Sequence, residues 1–399
     1  NSNWLVTQIW IPLFTQNPGL RRITFNILPG SSGEAAELGR AMGNLAQLEE
    51  VYIIFIKDWG GLEALLDFCP QVRKIAIEAF TPGIVLPIRN FRSRDNFNEP
   101  KTQVRELNLL SRDWIPHFPW IVPVLRRCPL LESLTIPLHS SQETFPVVVR
   151  AIVEHCPEIR HLNFKIQFNH NGPETIDALA TLLNTGCPRL TSLQLSDEAD
   201  IFLLERHFMS RDLRQRLEQF VCTSRSKRND VPGTELVFGV LTVCPNLKVF
   251  KAKKMTIDVM EFLEMDVACL GTLESLHLRF RYPQPERTMV EVTDVQVAEK
   301  EEEEERAEAI EANEESKEQA DRLYCLHLQC RILDKLSQFS ALRELHLGSD
   351  PKEDPLQENE VHFEIGEAEK EKDELLQRFA QMRRFETLKI NGVNFFAHD

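Results

Sequence analysis

The chain has 399 residues, of which 42% are apolar, with 24 Phe and 5 Trp, enough to fill a sizeable core and to exclude wholesale disorder. No apolar run approaches the ~18 residues of a membrane span, and no signal-peptide pattern opens the chain; the expectation is a non-membrane protein of the cytoplasm or nucleus. The net charge of −15 is concentrated in two segments: 291–322 holds fourteen acidic and four basic side chains and 350–374 holds eleven and three, leaving about +3 elsewhere, which disfavours a nucleic-acid partner because the inserts repel a phosphate backbone.

The chain opens Asn1-Ser2-Asn3-Trp4 without Met, and Trp4 to Trp10 reads as an amphipathic helix in mid-course, so an upstream segment is expected. A phrase then begins at Leu20-Arg-Arg-Ile23-Thr-Phe25: apolar, two variable, apolar, one variable, apolar. It returns at Leu48, Val72, Val104, Leu131, Ile159, Leu190, Leu217, Leu247, Leu273, Leu342 and Phe385, twelve copies in all. The first ten step by about 28 residues, a period at which strand-plus-helix units stack. Alternation within each phrase predicts a short strand with one buried face. Between phrases, as in Gly61 to Phe68 and Thr175 to Leu183, apolar residues recur at steps of three and four, the spacing of a helix with one apolar face.

Cys69, Cys128, Cys156, Cys187 and Cys244 each precede Pro at the same place in a repeat, where Pro stops the helix. Residues locked to a repeat position in this way serve as small buried apolar groups, so the nine Cys are expected to be free thiols in a reducing compartment. Leu323-Tyr-Cys-Leu326-His-Leu328 also fits the phrase, yet only thirteen residues separate Leu328 from Leu342 and no strand-plus-helix unit closes in that distance. With Cys330, Leu333 and Leu336 it predicts a helix.

Repeats of this length and phrase predict an α/β fold, a leucine-rich-repeat solenoid of about twelve irregular repeats, curved, with a parallel sheet on the concave face and helices on the convex face. The expected organisation is repeats 1–10 over 1–290, an acidic insert over 291–322, repeat 11 over 323–349, a second acidic insert over 350–370, and repeat 12 with the C-terminus over 371–399. The Asn that many such repeats carry at the ninth position is absent; Leu28, Ile56, Phe80 and Arg112 stand at the first four such places, which predicts uneven turns.

Cys156-Pro-Glu-Ile-Arg-His-Leu-Asn-Phe164, Cys187-Pro-Arg-Leu-Thr-Ser-Leu-Gln-Leu195 and Cys244-Pro-Asn-Leu-Lys-Val-Phe250 resemble the repeats of fungal F-box and leucine-rich-repeat proteins. In that family an amino-terminal F-box docks the adaptor of a cullin ubiquitin ligase and the repeats select the substrate. The resemblance implies an adaptor partner only if an F-box lies upstream, since Leu86-Pro87-Ile88-Arg89 lacks the helices an F-box requires.

No phosphate loop, zinc-protease helix or nucleophile elbow occurs, and no catalytic residue, cofactor or metal site is expected. Gly30-Ser31-Ser32-Gly33 reads as a loop before the helix of Glu34 to Met42. Cys325, His327 and Cys330, one and two residues apart, do not share a helix face as zinc ligands must. The variable residue between the inward pair of each phrase should project from the concave face. Down the repeats it reads Thr24, Tyr52, Ala76, Asn108, Thr135, Asn163, Gln194, Val221, then Lys251, His277, His346 and Lys389: eight neutral members, then four that are cationic or can become so. Tyr52, Asn108, Asn163, Gln194, Lys251, Lys253, His277, Arg279, His346 and Lys389 are the expected partner-binding residues, with His277 and His346 otherwise solvated surface groups. The functional expectation is a non-catalytic protein-binding scaffold, the substrate arm of a ubiquitin ligase receptor, whose basic end attracts an acidic segment in competition with Glu301–Glu305. Alternatives are a regulator of a small GTPase and a scaffold with no ubiquitin role.

Overall fold

Each phrase forms a strand because its apolar residues stand two apart, on one side of a pleated backbone, and neighbouring copies can bury that side together. In the computed structural model the described residues are 9–28, 32–56, 59–80, 101–110, 121–139, 144–167, 173–196, 210–223, 234–281, 323–348, 386–391 and 393–394. The chain divides into two compact units, Asn1–Asn229 and Asp230–Asp399. That boundary falls inside the stretch read from sequence as one run of repeats, next to the polar string Ser224-Arg-Ser-Lys-Arg-Asn-Asp230.

In the first unit the strands are β1 (Arg22–Leu28), β2 (Glu50–Ile56), β3 (Lys74–Phe80), β4 (Glu106–Leu109), β5 (Ser133–His139), β6 (His161–Gln167), β7 (Ser192–Ser196) and β8 (Gln219–Thr223). They lie in sequence order, each parallel to the next. Helices connect them: α1 (Ile11–Gln16) precedes β1, and α2 (Ser32–Gly43), α3 (Trp59–Phe68), α4 (Ile121–Arg127), α5 (Thr144–His155), α6 (Pro173–Thr181) and α7 (Arg211–Arg216) follow in turn. Helices α2 and α3 approach so closely that a Cβ on Gly43 would lie 2.5 Å from the Phe68 carbonyl oxygen; only glycine fits there.

In the second unit α8 (Thr234–Val243) leads into β9 (Val249–Asp258). The Asp258 carboxylate ends that strand by accepting hydrogen bonds from the Met260 and Glu261 amides at the start of α9 (Val259–Glu264). Then come β10 (Ser275–Arg281), a helix over 323–337, β11 (Glu344–Leu347) and β12 (Thr387–Ile390), with β9 to β12 parallel and in order. Asn391, at a φ of 48°, turns the chain back so that β13 (Val393–Asn394) pairs antiparallel with β12. The acidic inserts, and Glu301–Glu305 with them, lie outside the described residues. Among the described residues no helix is long and apolar enough to cross a membrane.

The turn before each strand repeats. In Cys69-Pro-Gln-Val72, Cys128-Pro-Leu-Leu131, Cys156-Pro-Glu-Ile159, Cys187-Pro-Arg-Leu190 and Cys244-Pro-Asn-Leu247 the amide of the fourth residue donates to the Cys carbonyl, at 3.1–3.4 Å. This is a β-turn with Pro at its second position, where the fixed φ of proline is already correct. Leu45 to Leu48 and Phe339 to Leu342 close the same turn without Cys or Pro. Two successive amides at the entry of the next strand then donate to one carbonyl of the previous repeat: Arg73 and Lys74 to Glu49, Thr191 and Ser192 to Arg160, Arg343 and Glu344 to Glu274. That shared carbonyl pins the register, and the first apolar residue of the phrase, from Leu48 through Leu273, is at most 1% exposed.

The helix over 323–337 agrees with its spacing: Cys330, Leu333 and Leu336 are buried, together with Leu328 and Ile332, while Leu323 stays 56% exposed. None of the nine cysteines is in a disulfide, and every one except Cys325 is buried. Burial pushes the Cys69, Cys187, Cys222 and Cys269 thiols up to about 12, far from the thiolate that reacts. We predict that a thiol reagent at neutral pH labels one cysteine rapidly in the folded protein, Cys325, and nine after denaturation without reductant; fewer than nine in the denatured chain would reveal a disulfide.

Candidate functional site

Pairing in register carries each between-Leu residue into a row across the sheet. In the first unit the row runs Thr24, Tyr52, Ala76, Asn108, Thr135, Asn163, Gln194, Val221, each the direct strand partner of the next. The Tyr52 hydroxyl donates to Glu78 at 2.6 Å, and Asn108 Nδ2 donates to Glu106 at 2.7 Å. The hydrogen bond to Glu78 is the main reason the Tyr52 phenol is held above its usual pKa. Asn163 Oδ1 is buried with no hydrogen-bond donor. The position on the other side of the central Leu makes a second row, and its charges alternate: Arg22 bridges Glu50 at 3.0 Å and Lys74 bridges Glu106 at 2.7 Å. Exposed pairs of this kind contribute ~0–1 kcal/mol each, and their effect is to favour one register over a slipped one.

In the second unit the row runs Lys251, His277, His346, Lys389 across β9 to β12. The two histidines, 69 positions apart in sequence, are brought side by side with ring centroids 3.7 Å apart and planes 12° from parallel. They are not solvated surface groups: their side chains are 15% and 21% exposed.

Lys253 and Arg279 do not join the row. From Lys251 to Thr256 takes five steps on β9, whereas the partners His277 to Arg279 take two on β10, so β9 carries three extra residues there. Arg279 pairs with Thr256, and Lys253 is exposed on the bulged stretch between the buried Ala252 and Met255.

Glu344 stands one residue before Leu345, so it projects from the same face as His346. Its Oε2 accepts from the Ser275 hydroxyl and lies 3.5 Å from Lys251 Nζ. Its Oε1 is 3.5 Å from His277 Nε2 and 3.2 Å from His346 Nε2. Both Nε2 atoms are buried, and neither makes an aligned hydrogen bond, so these are close polar contacts out of line with the ring N–H or lone pair. One nitrogen from each ring and a carboxylate oxygen thus lie within 4.8 Å of one another, a donor set suited to a metal ion.

The electrostatics correct the expectation of a cationic row. Burial, then the neighbouring imidazole and Lys251, push His277 down to about 3; burial, opposed by Glu344 and reinforced by Lys389 and Lys251, pushes His346 down to about 4. Burial alone would raise Glu344, but the Ser275 hydroxyl and Lys251 outweigh it and hold the carboxyl near 2. At neutral pH the cluster is therefore two neutral imidazoles and one carboxylate between two lysines. Sequence reasoning missed Glu344 because only one of the two outward positions in each phrase was followed; the alternation in Glu344-Leu345-His346 was the available signal. It also followed no metal beyond the Cys325, His327 and Cys330 spacing.

Comparison with protein-family models and with curated proteins finds no match to this chain.

A histidine whose folded pKa is depressed contributes stability that is present above its unfolded value near 6.5 and is lost as pH falls toward the folded value, because the unfolded chain binds the proton more readily. We predict that the thermal midpoint of the protein falls between pH 7 and pH 5, and that His277→Gln with His346→Gln flattens this part of the profile. Equal slopes would show that the pair is not buried in its neutral form.

Proposed function

We propose that this chain is a non-catalytic leucine-rich-repeat scaffold that binds a protein partner on the open face of its sheets, and that it serves as the substrate arm of an F-box-type ubiquitin ligase receptor. The observation that carries the binding role is the in-register row on each unit: half-buried Tyr52, Asn108, Asn163 and Gln194 on the first, and Lys251, His277, His346 and Lys389 on the second. Side chains held by strand pairing lose little conformational freedom when a partner docks, which is how a rigid sheet face gains affinity. The ubiquitin role rests on the resemblance of the Cys-Pro repeats to F-box and leucine-rich-repeat proteins, and recovery of the ligase adaptor with the full-length protein is its test.

The second unit's row favours a partner segment that brings carboxylates to Lys251 and Lys389. Glu344 already bridges to Lys251, so an incoming carboxylate has to compete with it, and affinity should be modest and salt-dependent. We predict that an acidic peptide binds the protein at low salt and that Lys251→Glu with Lys389→Glu weakens it by about tenfold or more, a loss of ~1.4 kcal/mol. Unchanged affinity in that variant would remove the acidic partner from the proposal.

A further inference from the structure

Three groups that ligate metals meet on strands β10 and β11, and their arrangement is more specific than their proximity. Four donor atoms around a zinc ion, at the usual bond lengths of about 2.0–2.2 Å, lie roughly 3.3 Å from one another. His346 Nε2 and Glu344 Oε1 are 3.2 Å apart, and His277 Nε2 and the same oxygen are 3.5 Å apart. Two of the three edges of the donor triangle thus already have the length that coordination requires.

The carboxylate is also divided in the way a ligand carboxylate is. Oε2 is occupied by the Ser275 hydroxyl and faces Lys251, while Oε1 is turned toward both imidazoles. A partner on the far oxygen fixes the plane of the carboxylate and keeps it ionised, the part played by outer-shell groups in metal sites. Both Nε2 atoms are buried without an aligned hydrogen-bond partner, so nothing in the protein has to be displaced from them.

We propose that His277 Nε2, His346 Nε2 and Glu344 Oε1 form a binding site for a divalent transition-metal ion of the zinc type, with at least one coordination position left to solvent or to a donor from a bound partner. Imidazole with a single carboxylate selects zinc and its neighbours over magnesium or calcium, which require more oxygens.

Two features set the limits of this site. Parallel rings 3.7 Å apart do not aim their lone pairs at one point, so chelation must tilt the planes out of parallel, at the cost of the stack. Lys251 and Lys389 place positive charge beside the ion, which lowers affinity. Lys251 also holds Glu344 in place, whereas the effect of Lys389 on His346 is only electrostatic. Removal of Lys389 alone should therefore tighten binding, a response that an incidental surface histidine elsewhere on the chain would not share.

The test uses the full chain, reduced and freed of metal by a chelator, titrated with Zn²⁺ against a chromophoric chelator and, separately, with Co²⁺ for its visible spectrum. One equivalent should bind; His277→Ala and His346→Ala should each weaken it by at least about tenfold, Glu344→Gln should also weaken it, and Lys389→Gln should tighten it. Co²⁺ should give visible bands that disappear in the His277→Ala, His346→Ala double variant. Cys325→Ser, which removes the one thiol that is not buried, should change nothing. Should the alanine variants unfold, His346→Gln and protection of both imidazoles from diethylpyrocarbonate by Zn²⁺ read the same site. Zn²⁺ affinity that is the same in the double variant, or that depends on Cys325 rather than on the histidines, overturns the proposal.

Discussion

Everything in this molecule depends on one carbonyl oxygen per repeat accepting two successive amides from the next. A single strand and its helix cannot bury their apolar faces alone; burial comes only when a neighbour is stacked alongside. The shared carbonyl, at Arg21, Glu49, Arg73, Arg105, Glu132, Arg160 and Thr191 in the first unit and at Lys248, Glu274 and Arg343 in the second, sets how that neighbour is aligned. Equivalent residues of successive repeats thereby become strand partners. The inward residues become a continuous core, and the outward ones become ordered rows whose composition the sequence is free to vary.

The freedom is used differently in the two units. In the first, the row after the central Leu is neutral, and the charges lie in the row before it, as the alternating pairs of Arg22 with Glu50 and Lys74 with Glu106. In the second, one carboxylate gathers three members of the other row: Glu344 reaches Lys251, His277 and His346. The cost of burying two imidazoles is met by keeping them neutral, and the cost of burying a carboxylate by Ser275 and Lys251. The proposed scaffold function and the metal-ion site both follow from this row geometry, yet they call on different atoms: the lysine ammonium groups for an acidic partner, the imidazole nitrogens for an ion.

Much of the architecture is legible in the sequence because it rests on local rules. The phrase positions, the strand faces and the role of Cys-Pro follow from alternation and from the fixed φ of proline, and Cys156 and Cys187 are as deeply buried as a packing role demands. Adjacency of His277 and His346 was also legible: an insert between repeats leaves the stack intact, and the pairing of β10 with β11 bears this out. What failed to show was each departure from the average. The three extra residues in β9 interrupt the strict alternation that the phrase predicts, and they take Arg279 out of line with Lys253. In the helix over 323–337, Cys330, Leu333 and Leu336 of the expected stripe are buried, Leu328 and Ile332 join them, and Leu323 is exposed. Protonation states were read from residue types, whereas burial and neighbouring charge decide them.

The central claim is that register pairing continues across the insertion between β10 and β11, so that residues 69 positions apart share one site. The most direct measurement is the nuclear Overhauser effect between histidine ring protons in protein carrying ring-¹³C histidine on a deuterated background. Rings stacked at 3.7 Å predict strong cross-peaks between the His277 and His346 imidazoles, assigned by single His→Gln variants and lost in either one. Two histidine spin systems with no mutual cross-peak, in protein that is otherwise folded, would contradict the account.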